Sequence, residues 1–336
     1  METAERVRVV VAADFDETLI DRIRAVSARL DVAQHRKGGP LEVVASAEVL
    51  LAQGWLPKPE QAPDVRWVQL MSAGADHAMK RPLVATTDVT VTTASGIHAS
   101  PIGEYCMAMI LAMAYEVPRF LDLQARAEWL APDRYVPRTL RGQTIGVVGY
   151  GSIGRELARL ADGFGMRVIA VKRDPSTMVE DDGYTAPGTG DPDGTIPVAV
   201  HPPEELAKVA AESDFLVSTL PGTPATRHLI DDAVLAAMKP SAVLVNIGRG
   251  AVIDEAALVE VLRAGRIAGA ALDVFEEEPL PTDSPLWSLP NVIATPHVSG
   301  NSDRYDEMVT DVFVENLARY LDRRPLLNVL DRARGY

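Results

Sequence analysis

One stretch, Ile145-Gly146-Val147-Val148-Gly149-Tyr150-Gly151-Ser152-Ile153-Gly154, decides the fold of this chain. Gly149 permits a tight turn out of an apolar strand, Gly151 lets a pyrophosphate approach the backbone, and Gly154 lets the next helix pack close to the sheet. The helix that begins near Ser152 and Ile153 points its backbone N–H groups at the phosphates. The stretch therefore predicts a turn that binds a dinucleotide.

The sequence around this turn supports that interpretation. The pattern G-x-G-x-x-G also occurs in loops that bind nothing, so its context matters. Here a helical run follows the glycines, and Arg167–Val171 supplies the second strand of a βαβ unit at the expected distance. The context favours a dinucleotide-binding unit over a glycine-rich turn without a ligand.

The end of this second strand bears on which dinucleotide is bound. In NAD-binding units an Asp or Glu near this point bonds the ribose 2′-OH, whereas this chain has Lys172 and Arg173. Two cations suit a 2′-phosphate, and an arginine can hold a phosphate bidentately. Two alternatives stay open: both cations are solvated, or Asp174 reaches the ribose. We therefore expect NADP(H) as the favoured cofactor, with NAD(H) as the alternative.

Length and composition set the class of protein. A chain of 336 residues exceeds a usual single core, which predicts two domains. The net charge of −14 argues against binding nucleic acid or an anionic membrane surface. Cys106 is the single cysteine, which excludes an internal disulfide and a multi-cysteine metal site, and we expect no metal. Residues 1–6 do not resemble a signal peptide, and no segment approaches the ~20 apolar residues of a membrane span, so a cytoplasmic location is expected.

Short apolar runs alternate with helical patterns, which predicts an α/β fold with parallel sheets. Strands are predicted over 7–12, 41–44, 65–70, 89–92, 167–171, 215–219, 242–246, 268–272 and 292–294. Helices are predicted over 16–30, 101–123, 231–238, 255–264 and 302–321, with irregular segments over 124–140 and 174–203. We expect a dinucleotide-binding domain over 102–300 and a substrate-binding, catalytic domain over 1–101 and 301–336, with the last helix returning to cover the first domain.

Charged residues follow three of the predicted strands, at the edge where open α/β sheets bind ligands. Transfer of a hydride from a nicotinamide to a carbonyl needs an acid for the oxygen and a cation for the substrate. His297 suits the first role and Arg249 the second. The alternatives are that His297 is a structural histidine and that Arg249 forms a salt bridge on the surface. A carboxylate beside the histidine would favour its protonated form. Glu278 can be that group, but spacing does not distinguish it from Glu276 and Glu277, which we expect to belong to a solvated acidic run.

Several segments together resemble the D-isomer-specific 2-hydroxyacid dehydrogenase family, which includes glyoxylate/hydroxypyruvate reductases and phosphoglycerate dehydrogenase. The resemblance runs from about Ser72 to Asn328, most of the chain. Its motifs, in the order of the family, lie at 72–76, 140–144, 145–154, 220–226, 246–250, 272–281 and 295–297. It implies two Rossmann-like, doubly wound parallel-sheet domains with the active site in the cleft between them.

The resemblance also implies roles for individual residues. Arg249, Glu278 and His297 would form the catalytic set, which selects Glu278 as the glutamate before proline. Asp273 would orient the nicotinamide carboxamide. Backbone N–H groups at Ala73 and Gly74 would bind the substrate carboxylate together with Arg249, and His297 would also contact the substrate. The remaining positions expected to contact the cofactor are Pro221, Thr226, Ile247, Gly248 and Gly300.

The function that follows is NAD(P)-dependent reduction of a small anionic 2-keto acid, of the glyoxylate/hydroxypyruvate type. One alternative is a dinucleotide-sensing interaction protein, like the corepressors of this fold, which keep all three catalytic residues. Another is a formate or phosphite dehydrogenase. His98 stands where formate dehydrogenases of this fold carry an asparagine, which disfavours formate. His77 and His98 are rival histidines near the predicted substrate side.

A homodimer is the expected assembly, because the family commonly dimerises through the cofactor domain and a helical arm near residues 101–140. Trp129 lies where some hydroxypyruvate reductases send a tryptophan into the partner's pocket. We favour a buried structural tryptophan at this position.

Overall fold

Two parallel β-sheets form the framework of the computed structural model, which describes residues 6–36, 39–179 and 183–332. The strands in this part of the chain are β1 Val7–Ala12, β2 Leu30–Gln34, β3 Val49–Ala52, β4 Trp67–Leu70, β5 Thr90–Thr92, β6 Thr144–Val148, β7 Arg167–Val171, β8 Ala199–His201, β9 Phe215–Ser218, β10 Val243–Asn246, β11 Gly269–Leu272 and β12 Val292–Ala294. The helices are α1 Glu17–Arg24, α2 Glu42–Ala45, α3 Asp76–Met79, α4 Pro82–Ala85, α5 Ala99–Ala114, α6 Val117–Ala125, α7 Ser152–Gly163, α8 Leu206–Glu212, α9 Asp232–Ala237, α10 Glu255–Arg263 and α11 Tyr305–Leu321.

The chain divides into two compact units. Over the described residues, the N-terminal unit comprises residues 6–36, 39–98, 183–186 and 302–332, and the central unit comprises residues 99–179 and 187–301. The domain boundaries predicted from the sequence lie near residues 101 and 301. The short segment that joins the N-terminal unit from within the central part of the chain was not predicted.

The sheet of the N-terminal unit has the strand order β2-β1-β3-β4-β5, with every pair parallel. Strands β3 and β4 are buried along their whole length, as expected for a sheet covered by helices on both faces. The last helix, α11, buries Phe313 in the same apolar cluster as Val9 and Trp67. The prediction that this helix returns to cover the N-terminal domain is therefore confirmed.

The sheet of the central unit has the order β12-β11-β10-β9-β6-β7-β8, again all parallel. The chain leaves β6 toward β7 on one side and later places β9 on the other side. The strand order thus reverses beside β6, and ligands of such sheets bind at the carboxyl ends of the strands at this point. The predicted fold class, two Rossmann-like doubly wound sheets, is confirmed.

Two predicted elements of the N-terminal half are wrong in place or extent. Residues 41–44 were predicted as a strand but contribute to α2, and the strand is Val49–Ala52. The helix predicted over 16–30 ends at Arg24 and is followed by β2, an edge strand that contains Asp31 and Gln34. In each case a short apolar run could serve either element, and only pairing with β1 decides which.

The long helix predicted over 101–123 is interrupted. It is divided into α5 and α6 at Glu116, which has a left-handed φ of 50°. Beyond α6 the chain is irregular, as predicted, apart from a short 3₁₀ turn at Pro132–Arg134. Trp129 in this segment is 92% exposed, so the expectation of a buried structural tryptophan is wrong.

The region 174–203, predicted as a surface excursion, is partly built into the central unit. It includes strand β8, which pairs with β7 at the edge of the sheet. Asp191 is buried, and its carboxylate accepts hydrogen bonds from the Tyr150 hydroxyl at 2.6 Å and from the amide of Ile196 at 3.1 Å. Tyr150 belongs to the glycine turn, so the hydrogen bond from Tyr150 to Asp191 ties this region to that turn.

Candidate active site

The glycine turn at the carboxyl end of β6 has the backbone that its sequence predicts. Gly149 has a φ of 102°, which only glycine adopts readily, and its amide donates to the carbonyl of Val171 at 2.9 Å. A Cβ on Gly154 would lie 2.1 Å from the carbonyl oxygen of Gly149. Helix α7 can pack this close to the sheet only with glycine there.

The same turn fits a dinucleotide pyrophosphate. Gly151 stands at the N-cap of α7, where no side chain caps the first amides. A Cβ on Gly151 would meet no atom within 4 Å, so open space adjoins the turn. Ile153 packs against the core, and Ser152 is half-buried beside it. Backbone N–H groups at a helix N-terminus next to open space form an anion site.

Lys172 and Arg173 follow strand β7 at the same edge of the sheet. The Lys172 ammonium donates to the carbonyl of Thr177, which closes a short loop. Asp174 lies inside this loop. Its carboxylate accepts from the amide and hydroxyl of Ser176, at 3.0 and 2.6 Å, and from the hydroxyl of Thr177 at 2.7 Å. These hydrogen bonds lower the pKa of Asp174, led by that from the Ser176 hydroxyl, so the loop itself uses both carboxylate oxygens.

The other predicted cofactor positions lie in loops at the carboxyl ends of β9, β10 and β12. The Thr226 hydroxyl donates to the carbonyl of Pro221 at 2.7 Å, which holds the loop after β9 in shape. A Cβ on Gly248 would meet the Leu220 carbonyl oxygen at 2.4 Å, and Ile247 is buried. Gly300 is half-buried after β12.

Arg249 extends from the loop after β10. The buried Asn246 shapes that loop, because its amide nitrogen donates to the Arg249 carbonyl at 3.1 Å and its oxygen accepts from the Gly248 amide at 3.2 Å. The Arg249 guanidinium donates to the Gly248 carbonyl at 2.8 Å and is otherwise exposed. The sequence analysis did not single out Asn246. A polar residue at the end of a fully buried strand was the signal that could have found it.

Glu278 and His297 meet in the central unit. His297 Nδ1 lies 2.8 Å from Glu278 Oε2, and the second carboxylate oxygen of Glu278 accepts from the Phe275 amide at 3.1 Å. His297 has a φ of 55°, which is uncommon for a residue other than glycine. Backbone strain of this kind is concentrated at functional sites. The carboxylate can only accept, so the ring donates through Nδ1.

Asp273 holds the loop that carries the histidine. Its carboxylate is fully buried and accepts from the Thr295 hydroxyl at 2.6 Å and from the amides of Val298 and Ser299, both at 2.9 Å. Thr295 also shares a hydrogen bond with the Tyr105 hydroxyl. In this structure Asp273 thus positions the segment on both sides of His297. The sequence analysis did not identify Thr295 or Tyr105 as part of this network.

A second histidine–glutamate pair lies nearby, between His228 and Glu276. Glu276 was expected to be a solvated charge; it is exposed, but it is also paired, because its carboxylate contacts the imidazole and its amide donates to Glu255. The pair matters for the choice among the three glutamates. All three glutamates are exposed, but Glu276 contacts His228 and Glu278 contacts His297.

The predicted substrate amides belong to the N-terminal unit. Ala73 and Gly74 follow β4, and the Ser72 hydroxyl donates to the Gly74 carbonyl at 2.7 Å. Among the described residues, neither amide donates to a protein acceptor. Two adjacent amides turned away from protein acceptors can bind an anion.

The rival histidines differ in their surroundings. His77 is exposed in α3. His98 packs edge-on against the ring of Tyr305, and burial lowers its pKa. His98 is therefore neutral at pH 7 and a poor source of a proton.

Among the residues that the structure describes, no three or more His, Cys, Asp or Glu side chains cluster closely enough to hold a metal ion. Within the same residues, every helix is too short or too polar to cross a membrane.

A family model described as the NAD-binding domain of D-isomer-specific 2-hydroxyacid dehydrogenases matches residues 107–299. The chain is 33% identical over 319 residues to an (S)-sulfolactate dehydrogenase of Chromohalobacter salexigens, covering 92% of each protein. It is 34% identical over 278 residues to a glyoxylate reductase of Aeropyrum pernix, covering 81% of this chain and 78% of the relative.

Solved structures show the same likeness. A D-isomer-specific 2-hydroxyacid dehydrogenase from Xanthobacter autotrophicus, in complex with NADPH and MES, is 31% identical and superposes with a TM-score of 0.78. The match covers 99% of this chain and 100% of the Xanthobacter chain. The likeness therefore extends over both units of the chain.

Proposed function

Because the chain belongs to the D-isomer-specific 2-hydroxyacid dehydrogenase family, and so is an NAD(P)-dependent oxidoreductase of 2-hydroxy acids, we propose that it reduces a small 2-keto acid of the glyoxylate and hydroxypyruvate type. The resemblance that the sequence predicted is thereby confirmed. One observation carries the proposal: neighbouring strands β10, β11 and β12 are followed in turn by Arg249, Glu278 and His297, and the last two are hydrogen-bonded.

In the proposed reaction His297 protonates the carbonyl oxygen of the keto acid. Glu278 accepts from Nδ1 of the ring, so Nε2 on the opposite side delivers the proton. The carboxylate of Glu278 stabilises the charged imidazole before transfer and fixes the orientation of the ring. Asp273 keeps the backbone around His297 in place.

Arg249 is proposed to bind the substrate carboxylate. A guanidinium offers two parallel N–H donors to a carboxylate, which orients the keto acid as well as binding it. The hydrogen bonds of Asn246 fix the loop from which Arg249 extends. A nicotinamide dinucleotide, when bound at the glycine turn, supplies the hydride. We still predict that the amides of Ala73 and Gly74, in the N-terminal unit, bind the substrate carboxylate.

NADP(H) is the proposed cofactor. Lys172 and Arg173 supply two positive charges where a ribose-binding acid is usual, and the carboxylate of Asp174 is engaged by Ser176 and Thr177. The similar Xanthobacter enzyme was solved with NADPH. These observations favour a 2′-phosphate over a 2′-hydroxyl at this loop.

A homodimer is the proposed assembly. Large apolar side chains are exposed on α6 and the segment that follows it: Leu121 is 59%, Trp129 92% and Val136 86% exposed. Apolar side chains concentrated on one arm favour a protein partner. No observation on this chain favours the corepressor, formate or phosphite alternatives, so we do not propose them.

A reductase assay tests the proposed function. Glyoxylate, hydroxypyruvate, pyruvate and phenylpyruvate are each offered with NADPH and with NADH, and sulfolactate is offered in the oxidative direction. We expect the highest kcat/KM with glyoxylate or hydroxypyruvate and NADPH. Turnover confined to sulfolactate would contradict the proposed substrate class, while turnover with none of these acids would contradict the proposed activity.

A further inference from the structure

A cavity in the N-terminal unit is lined by four arginines that play no part in the reaction proposed above. Its volume is about 340 Å³, which is within the lower range of small-molecule sites. The charged and polar residues of its wall are Arg29, Glu48, Arg66, Tyr320, Arg323 and Arg324, and apolar side chains complete it.

The cavity lies at the opposite edge of the sheet from the predicted substrate amides. Arg29 immediately precedes β2, Glu48 precedes β3 and Arg66 precedes β4. These residues therefore mark the amino ends of the strands, whereas Ala73 and Gly74 follow β4 at its carboxyl end. Ala73 lies seven positions after Arg66 along a largely extended chain, which corresponds to roughly 20 Å.

The charge of the wall is opposite to that of the protein. Four arginines and one glutamate leave the wall with a net charge of +3, in a chain whose net charge is −14. Clustered like charges repel one another, and an acidic protein gains no general benefit from such a cluster. A bound anion would offset the repulsion.

The arginine side chains are poorly paired within the described residues. Those of Arg29, Arg66 and Arg323 form neither a hydrogen bond nor an ion pair there, and Arg29 Nε is buried without an acceptor. Arg324 Nε lies 3.5 Å from Asp322, in an exposed pair. A buried N–H without an acceptor costs free energy, which a ligand oxygen would recover.

The one carboxylate of the wall, Glu48, is hydrogen-bonded to a tyrosine of the same wall. The Tyr320 hydroxyl donates to Glu48 Oε1 at 2.7 Å, and burial raises the pKa of Tyr320, so the hydroxyl keeps its proton. The Tyr320 ring stacks on Trp67, with centroids 5.4 Å apart. This stack holds the Tyr320 ring in the wall, and within the described residues Glu48 makes no ion pair with the arginines.

We propose that this cavity binds the phosphate group of a small phosphorylated metabolite. A phosphate monoester carries up to two charges and three terminal oxygens, which several guanidinium groups can share. A carboxylate offers one charge and two oxygens, which is a poorer match to unpaired arginines from three parts of the chain. The organic portion of the ligand can pack against the apolar part of the wall.

Calorimetric titration of the full chain tests the proposal, with inorganic phosphate and glycerol phosphate as probes at fixed ionic strength. Saturating NADP⁺ is present throughout, so that the glycine turn is not available to the probe. The cavity variant is Arg66→Gln/Arg323→Gln. The control, Arg263→Gln/Arg304→Gln, removes the same charge from exposed surface elsewhere. We expect the cavity variant to bind the probes about tenfold more weakly or worse, and the control to bind them like the wild type.

Melting curves without phosphate establish that both variants fold. The Arg249→Gln variant should bind the probes like the wild type, because Arg249 belongs to the other unit. Equal binding by the cavity variant and the control would overturn the proposal, as would loss of binding in Arg249→Gln. Acetate that binds as tightly as phosphate would overturn the assignment to a phosphate group.

Discussion

His297 and Glu278 lie 19 positions apart in the chain and share a hydrogen bond of 2.8 Å between Nδ1 and Oε2. A second pair, His228 with Glu276, has the same chemistry in the same unit. Both histidines have a left-handed backbone, with φ of 55° and 50°. The two pairs therefore provide a test and a matched control.

Replacing His297 by asparagine should lower keto-acid reduction by about 10²–10⁴-fold, because general acid catalysis contributes on that scale. Asparagine tolerates the left-handed backbone, so the loss would reflect the missing proton donor. His228→Asn is the control and should retain turnover. Steady-state kinetics measure both, and a titration of NADPH fluorescence shows whether cofactor binding survives. Near-wild-type turnover by His297→Asn would contradict the assignment and leave the exposed His77 as the rival histidine to test.

Replacing Arg249 by lysine should remove most of kcat/KM, since an ammonium cannot reproduce two parallel N–H donors to a carboxylate. Arg263→Lys, at the end of α10, makes the same exchange on the surface and should have no effect. The kinetics are measured with glyoxylate and hydroxypyruvate. If both variants match the wild type, the substrate carboxylate binds elsewhere.

Replacing Lys172 by aspartate should reverse the cofactor preference. The wild type is expected to have the higher kcat/KM with NADPH, because a charge-assisted pair contributes about 1.5–3 kcal/mol, or roughly one to two orders of magnitude. The new carboxylate would repel a 2′-phosphate and accept from a 2′-hydroxyl. Lys208→Asp changes the net charge equally on α8 and should leave the preference unchanged. A wild type that already prefers NADH would contradict the proposal.

Replacing Trp129 by serine should weaken the dimer. Its side chain is almost fully exposed, and such an indole gains most from burial against a partner. Light scattering coupled to size-exclusion chromatography measures the mass over a dilution series. Trp55→Ser, which alters an exposed tryptophan of the N-terminal unit, is the control. A monomeric wild type, or a dimer equally stable in both variants, would refute this interface.

The Cys106 thiol should not react in the folded protein. It is fully buried in α5, and burial raises its pKa, so that the reactive thiolate is scarce. Ellman's reagent should detect about one thiol per chain in denaturant and almost none in its absence. Fast labelling of the native protein would show that α5 opens readily.

Local spacing was enough to predict the glycine turn and its ligand class. The requirements at Gly149 and Gly154 arise from their immediate neighbours, a left-handed φ at one and a 2.1 Å approach at the other. Strand periodicity also placed β1, β7 and β12 at their observed bounds. These features depend on a few adjacent residues, so they can be predicted from the sequence alone.

The tertiary structure decided which residues face one another. Three glutamates in a row are equivalent in spacing, and only the loop after β11 turns Glu278 to His297 and Glu276 to His228. Likewise, the Leu41 region and the Val49 region are both apolar, and only pairing with β1 makes the second one the strand. Arg249, Glu278 and His297 come from three separate segments, and they reach one edge because parallel strands β10, β11 and β12 are neighbours in the sheet. Periodicity reports the local pattern of burial, whereas these contacts depend on strand order, which only the packed sheet establishes.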